Sequence, residues 1–128
     1  MAERRATDAE YDDEGHPETW AARHILRQAN AVPEWVELRR DIDERADRIR
    51  RRLRAHHEWL QDRTRLLAEL PAERILTTAH ATTERDLRVR AELEAAVSEV
   101  NALVRRYDLM VPLAMQLPLY TLERLGSG

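Results

Sequence analysis

The sequence predicts an all-α fold: a short N-terminal helix, a long antiparallel helical hairpin of coiled-coil-like period, and an extended C-terminal strap. Three observations carry this. Apolar residues recur in alternating steps of three and four along two long stretches, the spacing that keeps one side of a helix against a partner. Glycine is scarce, 3 of 128 residues, whereas leucine (17) and alanine (18) supply most of the apolar matter. The five prolines stand at the edges of the periodic stretches, where helices start or stop.

Residues 1–16 contain Glu3, Asp8, Glu10, Asp12, Asp13 and Glu14 against Arg4 and Arg5. Such a segment buries too little to offset its ordering entropy, so a flexible acidic arm is expected there. A short helix is expected at 17–29, with Pro17 at its first position, Glu18 in its first turn and Asn30 as a left-handed cap. Ala31-Val32-Pro33 breaks the chain, because a residue before proline is pushed out of the helical region.

A long helix follows over 34–69, with its apolar stripe at Trp35, Leu38, Ile42, Ala46, Ile49, Leu53, His56, Leu60 and Leu67. At about 1.5 Å per residue it is roughly 54 Å long and cannot bury that stripe on itself. Pro71 marks the next break, and a short helix 71–80 is read before a kink or loop in the threonine-rich stretch 77–83. The last long helix is read over 84–108, with Leu93, Val97, Val100, Val104 and Tyr107 in matching steps. Pro112 and Pro118 then exclude helix, and the alternation Leu113, Met115, Leu117, Leu119 suggests a strap over 111–122 with that face buried. Residues 17–125 thus read as a single helical domain, with 126–128 as a flexible end.

Composition excludes several classes of function. Without cysteine there is no disulfide framework, thiolate zinc site, iron–sulfur cluster or cysteine nucleophile. No run of eighteen apolar residues suits a membrane span, and the N-terminus lacks the apolar core of a secretion signal, so a cytoplasmic protein is expected. No phosphate-cradling glycine loop, dinucleotide fingerprint or nucleophile elbow occurs. His57-Glu58-Trp59-Leu60-Gln61 opens like a helical zinc-protease motif but carries glutamine where the second histidine is required. No catalytic residue, metal, cofactor or small-molecule substrate is expected.

The densest feature is the arginine run Arg45, Arg48, Arg50, Arg51, Arg52 and Arg54, tempered by Glu44 and Asp47. Arg45, Arg48 and Arg52 share one helical side and suit bidentate contact with phosphate or carboxylate. The same run also reads as a solvated face held by the intrahelical pairs Asp41–Arg45, Glu44–Arg48 and Asp47–Arg51. The net charge of −3 and the lack of aromatics among the arginines weigh against nucleic acid. Lysine is absent altogether, which points to the codon bias of a high-GC genome and makes the run partly compositional. Trp59 lies off the main stripe, either beside the core or as an anchor for a partner.

Two blocks are less generic. Residues 25–43, Ile-Leu-Arg-Gln-Ala-Asn-Ala-Val-Pro-Glu-Trp-Val-Glu-Leu-Arg-Arg-Asp-Ile-Asp, resemble the conserved domain of DnaJ homologue subfamily C member 28, a bacterial domain of unknown function. Residues 100–112, with Asn101, Tyr107-Asp108-Leu109 and Val111-Pro112, resemble that family's closing motif, so the likeness covers roughly 18–120. The acidic arm replaces the family's usual glycine- and lysine-rich opening. His16-Pro17-Glu18 is one residue short of the His-Pro-Asp of a J-domain. The resemblance brings no established activity. It marks Pro33, Trp35 and Leu38 as a helical corner, Asn101 as either a buried register residue or exposed surface, and Tyr107 and Pro112 as a helix exit. The expected function is a non-enzymatic protein-interaction module, a chaperone-related adaptor or self-associating coiled coil, with arginine-mediated RNA or ribosome binding as the alternative. The candidate interaction surface is Arg45, Arg48, Arg51, Arg52 and Trp59.

Overall fold

The computed structural model describes residues 32–127. The expected acidic arm and the helix 17–29 lie outside these residues. Glu34–Gly128 forms a compact unit of its own. Its described residues contain no strand: helix α1 spans Glu34–Glu69, helix α2 Ala72–Asp108, a 3-10 turn Leu113–Met115 and helix α3 Leu122–Ser127.

Helix α1 opens with Glu34 and Glu37 in its first turn, where carboxylates meet the unpaired N–H groups and positive end of the helix. It stops short of Pro71, whose ring disfavours helical geometry at Leu70. Pro71 itself is extended (φ −60°, ψ 149°), and its carbonyl accepts the Arg74 N–H at 2.9 Å to start α2. That helix then runs unbroken through residues 77–83, where the sequence suggests a kink or loop. Threonine carries only a modest helix penalty, and no glycine or proline interrupts Ala72–Asp108. Thr82 donates its hydroxyl to the Thr78 carbonyl one turn back at 2.8 Å, so the side chain is satisfied without leaving the helix.

The two long helices pack against each other. Leu38, Ile42, Ala46, Ile49, Leu53 and His56 form the buried row of α1; Leu93, Val97, Val100, Val104 and Tyr107 form that of α2. Polar contacts between them join Glu34 to Arg106 (2.7 Å), Arg45 to Glu99 (3.7 Å), Arg52 to Glu92 (2.8 Å) and His56 to Asp86 (2.7 Å). Partner numbers therefore fall on α2 as they rise on α1. Trp35 is half-buried against this core. The stripe expected to continue through Leu60 and Leu67 is only half-buried there. The matching steps on α2 carry Ala79 and Thr82, which are too small to complete a core layer.

Residues 109–127 supply a third layer over one end of the pair. Val111, Tyr120 and Leu125 join the buried cluster, with Leu117 and Leu122 packed against it. Two α2 side chains pin the segment. The Asn101 amide donates to the Tyr120 carbonyl (3.0 Å) and accepts the Tyr120 N–H (2.8 Å), so it pairs both backbone groups of one residue. Asp108 accepts the Leu117 N–H at 2.9 Å. Asn101 is thus a half-buried tether, which resolves the two readings open in the sequence.

The alternating face expected from Leu113 to Leu119 is not the buried one: Leu113 is 83% exposed, Leu119 44% and Met115 39%. Pro112 leads into the 3-10 turn, where the Met115 N–H reaches the Pro112 carbonyl at 2.9 Å, and a three-residue repeat cannot keep alternate side chains on one side. Residues 126–127 are likewise part of α3. Thr121 caps that helix by accepting the Arg124 N–H at 3.1 Å. A Cβ at Gly126 would stand 3.1 Å from Leu53 Cδ2, so a side chain there would need the Leu53 side chain to give by a few tenths of an ångström.

Candidate interaction surface

Of the sequence-predicted residues, Arg45, Arg48, Arg52 and Trp59 line two adjoining cavities of the helix pair, Arg51 lines neither, and the arginines do not form a uniform basic stripe. Arg45 bonds Asp41 through Nε at 2.9 Å and lies 3.7 Å from Glu99 across the groove. Arg52 donates to Glu92 at 2.8 Å. Arg48, between them, and Arg51 have no acidic partner among the described residues. The expected pairs Glu44–Arg48 and Asp47–Arg51 do not form there, and Asp47 accepts from Arg50 instead at 2.9 Å. These pairs stand in solvent, where each is worth a few tenths of a kcal/mol to about 1 kcal/mol.

Beneath the arginines lies a groove. Arg45, Arg48 and Arg52 rim a cavity of about 190 Å³ floored by Ile49, Leu93, Ala96 and Val100, with Glu99 on the far rim. Ala96 puts a methyl opposite the arginines where a longer side chain would fill the space. Arg52 also rims a second cavity of about 190 Å³, shared with Ala55, His56, Trp59, Arg85 and Val89. Trp59 is half-buried here. Its ring stacks on His56 (5.7 Å between centroids, 16° between planes), and the Arg85 and Arg63 guanidiniums stand 4.3 Å and 5.2 Å from it. Trp59 is thus half-buried among His56, Arg63 and Arg85 while it lines the cavity.

Sequence reasoning missed the pair that fixes this end of the groove. His56 is buried, and its Nε2–H donates to Asp86 Oδ1 at 2.7 Å. The sequence places His56 in an apolar stripe and Asp86 in the first turn of the helix read over 84–108. The signal was available, because Asp86 continues the row Leu93, Val97, Val100 in three- and four-residue steps, and a carboxylate on a seam needs a partner. The His56 hydrogen bond holds the Asp86 carboxyl below the usual carboxylate range, against the opposing effect of partial burial and with help from the Arg90 charge. A folded-state pKa below the unfolded value means the group stabilises the fold above about pH 4 and loses that contribution as pH falls through the lowered value. Asp86→Asn should therefore weaken the fold at neutral pH by about 1 kcal/mol. It should also flatten the acid limb, measured as urea midpoints between pH 7 and pH 3; equal acid sensitivity in both proteins would contradict the assignment.

Among the described residues, no set of three histidine, aspartate or glutamate side chains comes together to hold a metal ion. No described helix is long and apolar enough to cross a membrane.

Residues 4–50 match the family model of the DnaJ homologue, subfamily C, member 28, conserved domain. The resemblance read at residues 25–43 falls inside that match. The match begins within the acidic residues 1–16 and ends in the first half of α1, taking in Pro33, Trp35, Leu38, Arg45 and Arg48. Arg51, Arg52, Trp59 and the second resembling block at 100–112 lie beyond the match. No curated protein and no solved structure matches the chain.

Proposed function

We propose that this chain is a non-enzymatic, cytoplasmic protein-interaction module: a helical hairpin strapped by its C-terminal segment, which docks an acidic amphipathic segment of a partner protein in the Arg45–Trp59 groove. One observation carries the reading. Arg48 lies over an apolar floor between two arginines already tied to acids, without an acidic partner of its own among the described residues. A carboxylate from a partner segment meets Arg48 there, while apolar side chains of the same segment cover Ile49, Ala96 and Trp59. The description of the matching family names a DnaJ homologue, which supports a chaperone-related partner and an adaptor role.

A photo-crosslinker at position 55, which lines the groove beside Trp59 and leaves Arg48 in place, used in the native cell and read by mass spectrometry, tests this. A dominant protein adduct is expected, reduced at least tenfold by Trp59→Ala or Arg48→Glu. Adducts to RNA alone, with binding that falls steeply as salt rises, would overturn it in favour of the arginine-mediated RNA reading.

A further inference from the structure

The third layer covers only part of the helix pair. On α1 the row facing it passes through Leu53, against which Gly126 closes; on α2 it passes through Asn101, which holds Tyr120. Both rows continue past the third layer. From Leu53, steps of three and four lead through His57 to Leu60, Thr64 and Leu67; from Asn101 they lead back through Arg90 to Leu87, Thr83 and Leu76. The layer stops at a cleft of about 320 Å³ where His57 and Arg90 meet Leu122 and Ser127. Beyond it Leu76 is 80% and Leu87 62% exposed, with Leu60 and Leu67 half-buried.

We infer that this face, carried by Leu60, Thr64, Leu67, Leu76, Thr83 and Leu87, is a dimerisation surface whose occupant is a second copy of the chain. This rests on the reading of the chain as an interaction module and deepens it with a partner on a different face from Trp59. Three considerations select a second copy. First, none of the six residues is ionisable and His80 beside them lies 3.5 Å from Glu84, so the face selects no oppositely charged partner and does not repel itself. Second, the covered part of the same two rows is buried by the chain's own apolar residues Val111, Tyr120 and Leu125, so a layer of the same chemistry completes the rest. Third, rows in steps of three and four on both helices of both copies interdigitate as a four-helix bundle about a two-fold axis. The face is about 18 Å long and two helices, roughly 20 Å, wide, so two copies bury on the order of 1,000 Å², the low end for specific interfaces. An interface of this size suits a reversible dimer.

Sedimentation of the full chain between about 1 and 200 µM tests this beside Leu76→Glu/Leu87→Glu. Both side chains are exposed, so the variant's helical signal and melting midpoint at low concentration should match the parent's. The parent should pass from monomer to dimer over this range, with the double variant at least tenfold weaker and its position-55 crosslinks intact. A parent that stays monomeric at 200 µM overturns the proposal, as does a dimer indifferent to the double variant. A monomer whose melting midpoint falls in the double variant overturns it too, by assigning the face to another part of the same chain. Loss of the position-55 crosslinks with dimerisation intact would instead refute only the groove reading.

Discussion

Replacing Leu93 with alanine is expected to lower the unfolding free energy by about 3 kcal/mol, a typical cost for truncating a fully buried leucine. Leu93 is 0% exposed and lies where the buried row of α2 begins. The described core contains thirteen buried apolar side chains drawn from two long helices and the C-terminal segment, so few neighbours can move to fill the gap. The removed methyl groups leave a cavity as well as a lost transfer term, and both add to the cost. Urea titration followed by circular dichroism should show a lower midpoint with an unchanged slope. The same truncation at Leu109, 89% exposed, should change stability by less than about 0.5 kcal/mol. Equal effects at both sites would contradict the burial pattern.

The second large effect is expected at Asn101. Alanine there leaves the Tyr120 N–H and carbonyl without the partners they have at 2.8 Å and 3.0 Å, at a residue only 9% exposed. The cost of such orphaned groups is about 2 kcal/mol, and it falls on the attachment of the third layer. Amide exchange should therefore accelerate over residues 111–127 well before it does in α1 or α2. Asn101→Asp separates the two bonds, because a carboxylate still accepts the Tyr120 N–H but faces the Tyr120 carbonyl with no donor. It should release the segment as well, despite its near-identical shape. Protection of 111–127 equal to the parent's in both variants would show that the Asn101 bonds do not hold the layer.

Much of the frame is legible in the sequence because helix formation and helix pairing leave periodic marks. The steps from Leu38 to His56 and from Leu93 to Tyr107 name both buried rows, and Pro71 marks the break between the helices. Where local signals compete with continuity, the reading fails. The threonines at 77, 78, 82 and 83 resemble a loop by composition, yet helix costs them little and the Thr82 hydroxyl bonds the Thr78 carbonyl one turn back. The Leu113–Leu119 alternation resembles a strand-like strap, but Pro112 and the 3-10 turn change the repeat, and burial passes to Val111, Tyr120 and Leu125. The candidate surface was half visible. The arginines and Trp59 stand out in sequence, whereas Arg85 and Asp86 approach from a helix some thirty residues away and become part of the site only by packing.

The sequence by itself determined the helical class, the two rows that pair, and the absence of thiol chemistry, because these follow from residue types and from spacing along one chain. Tertiary structure alone decided which arginines are neutralised, what Asn101 holds, and that the third layer ends while its two apolar rows continue. Each of these depends on which residues approach across space. A hydrogen bond such as His56 to Asp86 spans thirty positions in sequence and 2.7 Å in the fold, and no local pattern encodes that distance.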